Sequence, residues 1–450
     1  MKWILRSTEP WSWLATALLL LSVPLLNGYP LVYSDTGTYL RTAFEGHVPA
    51  DRPIWYGLFI RWTSLNGSTL WGPVVVQCLL TAFVVVRSLR SMEPHPLEAR
   101  LPVLLLGLVL FTGIGWYAGQ LMPDIFTGIG IASLLQLLLG RHGPVGRWTW
   151  ALLLILCLAL HAGNAPILLL LCLGLAPVVL RSGRGHRMRL IGVLSLVLVG
   201  WWLPPLAASW STGAPSSRPA HVFLMGRLID SGVLPELLQE RCPGSGWELC
   251  AWKDSLPNNS QDFLWNPESP VYAMGGWAAT RQEYGLIVKE ALTTPGLTQR
   301  FISNTLAGTV RQLTDLHIGN GLLGTWYASP ESPPFHQIEK HVPHELSAFR
   351  SSVMNRDEMR ARSVLRLADM LLWLGWLLTA GALVAIAARW DRLAVNMRIL
   401  VLAALMALVA NALVCAGVST VADRFQTRMS WVLPLLVWPL AVDLLQRRQR

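Results

Sequence analysis

The sequence predicts an all-α, polytopic transmembrane protein of about ten spans that carries a mainly helical external insertion. Three observations predict it. Of 450 residues, 53% are hydrophobic and only 14% charged, too little charge to cover a soluble chain of this length. The apolar residues fall in runs close to the length that crosses a hydrocarbon core. Basic residues gather at alternate ends of those runs, as the positive-inside rule requires.

In chain order, the runs lie around residues 11–27, 70–89, 101–117, 124–140, 148–163, 164–181, 190–208, 368–388, 398–417 and 429–446. No small-x-small cleavage site follows the first, so it reads as a retained helix, not a signal peptide. Residues 28–69 form a long first external loop. Within it, Tyr33 to Leu40 reads as a cap and a short helix, with Ser34 or Asp35 placed to accept the first free N–H groups. Ile54 to Trp62 is apolar and aromatic but too short to span, which predicts a helix lying in the interface. About seven spans thus occupy residues 1–209 and about three occupy 368–450. Between them, residues 210–367 form an external (periplasmic) domain. Helices are expected there over 219–240, 277–293 and 296–315, separated by Pro- and Asn-rich loops.

Seventeen Lys and Arg residues lie in one alternating set of short loops and termini, from Lys2 and Arg6 to Arg447, Arg448 and Arg450. The other set holds five: Arg41, Arg52, Arg61, Arg424 and Arg428. Both termini are therefore expected in the cytoplasm, with the protein multi-pass in the cell (inner) membrane. The net charge of +10 sits mostly beside helix ends, where it meets anionic membrane lipids, so no nucleic-acid partner is expected. Cys78, Cys157, Cys172 and Cys415 fall inside apolar runs as small packing residues. Cys242 and Cys250 flank a Pro-Gly-Ser-Gly turn in the external segment and are expected to form a disulfide.

The polar side chains of the external short loops are Asp35, Asp51, Arg52, Asp124, His161, Asp423, Arg424 and Arg428. Each has a structural alternative. Asp35 and Asp124 could be helix caps; His161 could be a hydrogen-bonded helix end; Asp423 and Arg424 could pair with each other. Trp55, Tyr56, Trp62, Trp116 and Tyr117 read as an interfacial belt, with Tyr56 also able to face a cavity. His336, His341 and His344 lack the spacing of a zinc site, and no metal is assigned. No phosphate-binding glycine loop, dinucleotide fingerprint, HExxH or Gly-x-Ser-x-Gly motif occurs.

This arrangement resembles the C-type (GT-C) superfamily of membrane glycosyltransferases, which use polyprenyl-phosphate sugar donors. The resemblance rests on Ser34-Asp35-Thr36 after the first span, Arg52-Pro53-Ile54-Trp55-Tyr56, Pro123-Asp124 opening the fourth span, and Arg424-Phe425 before a final span containing Pro434. It covers the first 140 residues and about the last 30 at motif level. It implies Asp35 as general base toward an acceptor hydroxyl and Arg52, Arg424 and Arg428 as ligands of the donor phosphate. Tyr39, Tyr56, Asp124 and His161 would contact the acceptor or support the site. Asp35 is followed by Thr-Gly where many relatives carry a second acidic residue, so a paired-acid or metal role does not carry over. A divalent metal is possible but not indicated, and no cofactor is assigned. The expected activity is inverting transfer of a sugar from the lipid-phosphate donor to a lipid, glycan or protein acceptor at the external face. The rivals are a transporter or flippase of lipid-linked or anionic substrates, and a non-catalytic envelope assembly factor. Midplane charges and paired repeats, the marks of a transporter, are missing from the sequence.

Overall fold

The computed structural model describes residues 9–91, 101–213, 220–318, 322, 325–356 and 358–446. Lys2, Arg6, Arg100, Arg447, Arg448 and Arg450, used above to orient the chain, lie outside the described residues. Among the described residues every regular element is helical, apart from one isolated bridge between Leu31 and Gln120.

Helix α1 (Glu9–Asn27) is followed by two short helices, α2 (Thr36–Glu45) and α3 (Trp55–Thr63). Then come α4 (Trp71–Ser91), α5 (Leu101–Phe111), α6 (Ile114–Ala118), α7 (Ile125–Leu139), α8 (Pro144–Leu160), α9 (Asn164–Arg181) and α10 (Arg184–Thr212). The predicted helix over 219–240 is two helices, α11 (Ala220–Asp230) and α12 (Val233–Arg241). Gly232 breaks it with φ 69°, a conformation that costs glycine nothing. Four helices follow: α13 (Ser260–Trp265), α14 (Pro270–Ala273), α15 (Gly276–Ala279) and α16 (Arg281–Thr293). Next are α17 (Pro295–Thr314), α18 (Pro333–His341), α19 (Leu346–Arg350) and α20 (Val353–Arg356). The chain ends with α21 (Glu358–Ala387), α22 (Val395–Val418), α23 (Asp423–Ser430) and α24 (Val432–Gln446).

Among the described residues, six helices are long and apolar enough to cross a membrane: α1, α4, α9, α10, α21 and α22. The bent pair α23 and α24 makes a seventh if counted as one span, while α5, α7 and α8 are apolar but shorter. The expected ten spans therefore exceed what helix length supports. Residues 423–428, expected as a loop leading into the final run, are instead helical and form α23, which meets α24 at a bend of 40°. Pro434 has no N–H to offer the Ser430 carbonyl, so the helical ladder breaks there. Trp431, fully buried, caps the break by donating from Nε1 to the Arg428 carbonyl at 3.0 Å.

The described buried hydrophobic residues of the insertion, expected over 210–367, divide between two cores. Val222, Met225, Leu234, Phe263, Tyr284 and Leu297 belong to a separate small core. Ile318, Tyr327, Phe335, Ile338 and Phe349 instead pack into the main core with the apolar helices. Glu345 ties this second part to the ends of α1 and α4. It accepts from the Tyr29 hydroxyl at 2.8 Å, the Thr69 hydroxyl at 2.6 Å and the Leu70 N–H. The Cys242–Cys250 disulfide forms, and Cys78, Cys157, Cys172 and Cys415 are free and buried, as the sequence predicts.

Candidate functional site

The loops that carry the candidate residues are pinned by buried amides on the helices beneath them. Gln77 of α4 donates to the carbonyls of Ala118 at 3.1 Å and Gln120 at 2.8 Å. Asn164 donates to the Cys157 carbonyl at 2.8 Å and accepts from Thr127 at 2.8 Å, joining α7, α8 and α9. Asn411 of α22 holds the Phe425 carbonyl at 2.8 Å, and Gln312 of α17 grips both backbone polar groups of Ala422. An amide in an apolar interior is costly unless bonded, so each of these fixes one loop in place.

Asp35 stands at the N-cap of α2, yet its side chain makes no capping bond. Its carboxylate turns away to accept from Arg52 Nη2 at 3.1 Å and to face Arg424 Nη2 at 3.7 Å. Arg52 is held by Asp51, which takes Nε at 2.7 Å and also contacts Nη2, and lies over the Tyr39 ring at 5.2 Å. Tyr39 meets Tyr56 edge to face at 4.8 Å, and the Tyr56 hydroxyl donates to Gln77 Oε1 at 2.6 Å. Tyr56 is fully buried, so it props the site from below and does not face a cavity. The Thr-Gly after Asp35 also has a packing reason. Thr36 donates to the Leu121 carbonyl at 3.1 Å, and a Cβ on Gly37 would come within 2.5 Å of Pro333.

A second arm starts at Asp124, the N-cap of α7, whose side chain likewise makes no cap. Asp124 Oδ1 accepts from Arg428 Nη1 at 3.1 Å, in an ion pair with each side chain 3% exposed. The same Nη1 lies 3.1 Å from His161 Nε2, while His161 Nδ1 faces the Gly163 N–H at 3.1 Å. A neutral imidazole has one lone pair for those two donors, so the surroundings favour a neutral ring.

Arg424 stands between the arms. Residues 424 and 428 are one turn apart on α23 and so share a face, with both guanidiniums against Phe425, at 4.8 and 4.9 Å. Arg424 also covers Tyr33 at 3.9 Å. Asp423 does not pair with the Arg424 side chain; its Oδ1 accepts the Arg424 backbone N–H at 2.6 Å. Three carboxylates (Asp35, Asp51, Asp124) thus face three guanidiniums. Arg52 and Arg428 are hydrogen-bonded to carboxylates, whereas among the described residues Arg424 meets a carboxylate only in the looser 3.7 Å contact with Asp35. Arg424 also borders a cleft with room for about one water, lined further by Trp116, Tyr117, Gln120, Ile318 and Leu322. Among the described residues, Arg52 Nη1, Arg428 Nε and the Tyr117 hydroxyl are buried without a hydrogen-bond partner.

Asp35, Tyr39, Asp51, Arg52, Tyr56, Asp124, His161, Arg424 and Arg428 therefore meet in one cluster, drawn from segments far apart in the chain. The sequence reading missed Tyr33, which faces Arg424 as Phe425 does, and the amides Gln77, Asn164 and Asn411. The amides had a signal: each is a solitary polar residue beside or within an apolar run. Tyr117, read as a belt residue, is buried, whereas Trp62 is exposed. His341 binds Glu45 and His344 binds the Ser68 carbonyl. Among the described residues, no group of three or more His, Cys, Asp or Glu side chains could hold a metal ion. No known protein family, curated protein or solved structure matches this chain.

Proposed function

We propose that this protein is a membrane glycosyltransferase that moves a sugar from a polyprenyl-phosphate donor to an acceptor at the external face of the cell membrane. The observation that carries the reading is the meeting of Asp35, Arg52, Asp124, Arg424 and Arg428 in one cluster beside a cleft. This reading keeps the ten-span topology by counting the bent pair as one span and adding the shorter helices α5, α7 and α8 to the six long ones. That topology leaves both termini cytoplasmic and the cluster at the external interface.

Arg424 is the phosphate ligand. It exchanges its loose contact with Asp35 for a phosphoryl oxygen, a charge-assisted bond of the stronger kind. Arg428 and Arg52 stay bonded to Asp124 and Asp51, so Arg424 is the guanidinium that turns to the phosphate. Transfer forms a bond between the acceptor oxygen and the anomeric carbon. The bond from that carbon to the phosphate oxygen breaks, and its electron pair leaves with the phosphate. The acceptor proton goes to the Asp35 carboxylate. One base suffices for inversion, since the nucleophile is the acceptor and not water.

The test is binding of a polyprenyl phosphate to the purified protein in nanodiscs, read by thermal shift. Saturable stabilisation that Arg424→Ala weakens supports the reading. A folded protein with no specific stabilisation removes it and brings forward transport of lipid-linked substrates or envelope assembly.

A further inference from the structure

The cleft beside Arg424 contains a polar side chain that the mechanism above leaves unused. Tyr117 is 4% exposed, lines the cleft, and has no hydrogen-bond partner for its hydroxyl among the described residues. A phenol hidden from water without a partner is destabilising. Phenylalanine would fill the same space without that penalty. A buried polar group kept in this state calls for an explanation, and an incoming ligand is one. The charged side chains acting on the phenol are Asp124, Asp423, Arg424 and Arg428, so it belongs to the same cluster. The other unpartnered atoms of the cluster, Arg52 Nη1 and Arg428 Nε, are donors too. A ligand rich in acceptors and poor in donors answers that set, and a phosphoryl group is one.

We propose that the Tyr117 hydroxyl donates a hydrogen bond to a phosphoryl oxygen of the anion that Arg424 holds, which makes Tyr117 a ligand-binding residue. This rests on the lipid-phosphate reading of the site. The cleft admits about one water, so the side chains of Ile318 and Leu322, which line it, draw back as the larger group enters. A phosphoryl oxygen could come from a lipid or from free phosphate, and the experiment separates the two.

The full-length protein and Tyr117→Phe are compared in nanodiscs by titration with farnesyl phosphate, farnesol and inorganic phosphate. Thermal unfolding is recorded without ligand. The expected Tyr117→Phe protein is at least as stable as the parent when ligand-free, yet binds farnesyl phosphate about tenfold or more weakly. Farnesol gives no saturable binding to either protein. Competition by inorganic phosphate places recognition in the phosphoryl group alone; lack of competition adds the lipid to it. Equal affinity of both proteins for farnesyl phosphate overturns the role of Tyr117 and leaves Arg424 as the phosphate ligand. A ligand-free Tyr117→Phe protein clearly less stable than the parent also overturns it, because the hydroxyl then has a partner within the fold. Failure of the parent to bind farnesyl phosphate overturns both.

Discussion

Asp124→Asn and Asp35→Asn make the same chemical change in one cluster and should differ greatly in their effect on stability. Asp124 and Arg428 are each 3% exposed, at 3.1 Å. The amide removes the countercharge and leaves the buried Arg428 guanidinium with neutral acceptors, the residue-124 amide oxygen and His161 Nε2. Removing one partner of a buried ion pair costs about 3–5 kcal/mol, because the remaining charge stays buried. Asp35 is 26% exposed, and its main partner Arg52 keeps Asp51 as a second carboxylate. An amide oxygen at residue 35 still accepts from Arg52, and a partly exposed pair is worth about 0–1 kcal/mol. Equilibrium unfolding in mixed micelles, followed by tryptophan fluorescence at neutral pH, measures both. The double variant Asp124→Leu/Arg428→Met, which removes both charges, should return to within about 1 kcal/mol of the parent. A cost below about 1 kcal/mol for Asp124→Asn, or one no greater than that for Asp35→Asn, would refute this reasoning.

Asp35→Asn should nevertheless lower sugar transfer by about 10²- to 10⁴-fold, the usual contribution of a general base; normal turnover by the folded variant removes Asp35 from that role. Gly37→Ala should cost about 1–3 kcal/mol, since its methyl would meet the Pro333 backbone at 2.6 and 2.8 Å, and unfolding in micelles reads it. Lys340 first, and then His341 and Arg41, hold the Glu45 carboxyl down at about 2, against an ordinary value of 4.5. A carboxyl with a lowered folded pKa stabilises fully above its unfolded value and loses that contribution as pH falls through the folded one. The clamp between α2 and α18 should therefore weaken from about pH 4.5 towards 2. Glu45→Gln should flatten that part of the stability–pH curve, and superimposable curves for the two proteins would rule the clamp out.

Composition and spacing were enough to expect that the chain is helical and apolar, that Cys242 pairs with Cys250, and that Asp35, Arg52 and Asp124 stand in loops; Arg424 and Arg428, expected in a loop as well, lie on α23. These are local properties: run length, flanking charge, and polar residues isolated where the apolar pattern stops. Sequence could not say whether Asp35 and Asp124 cap their helices, because a cap and a site carboxylate have the same local pattern. Only the tertiary structure decided it, by bringing Arg52, Arg424 and Arg428 within reach of carboxylates up to 389 positions away. The same holds for the split of the insertion between two cores, and for the bend at Trp431 that separates α23 from α24. Partners distant in the chain leave no periodicity to read. A guanidinium is drawn to whichever carboxylate folding leaves beside it, and burial then sets how strongly the pair is held.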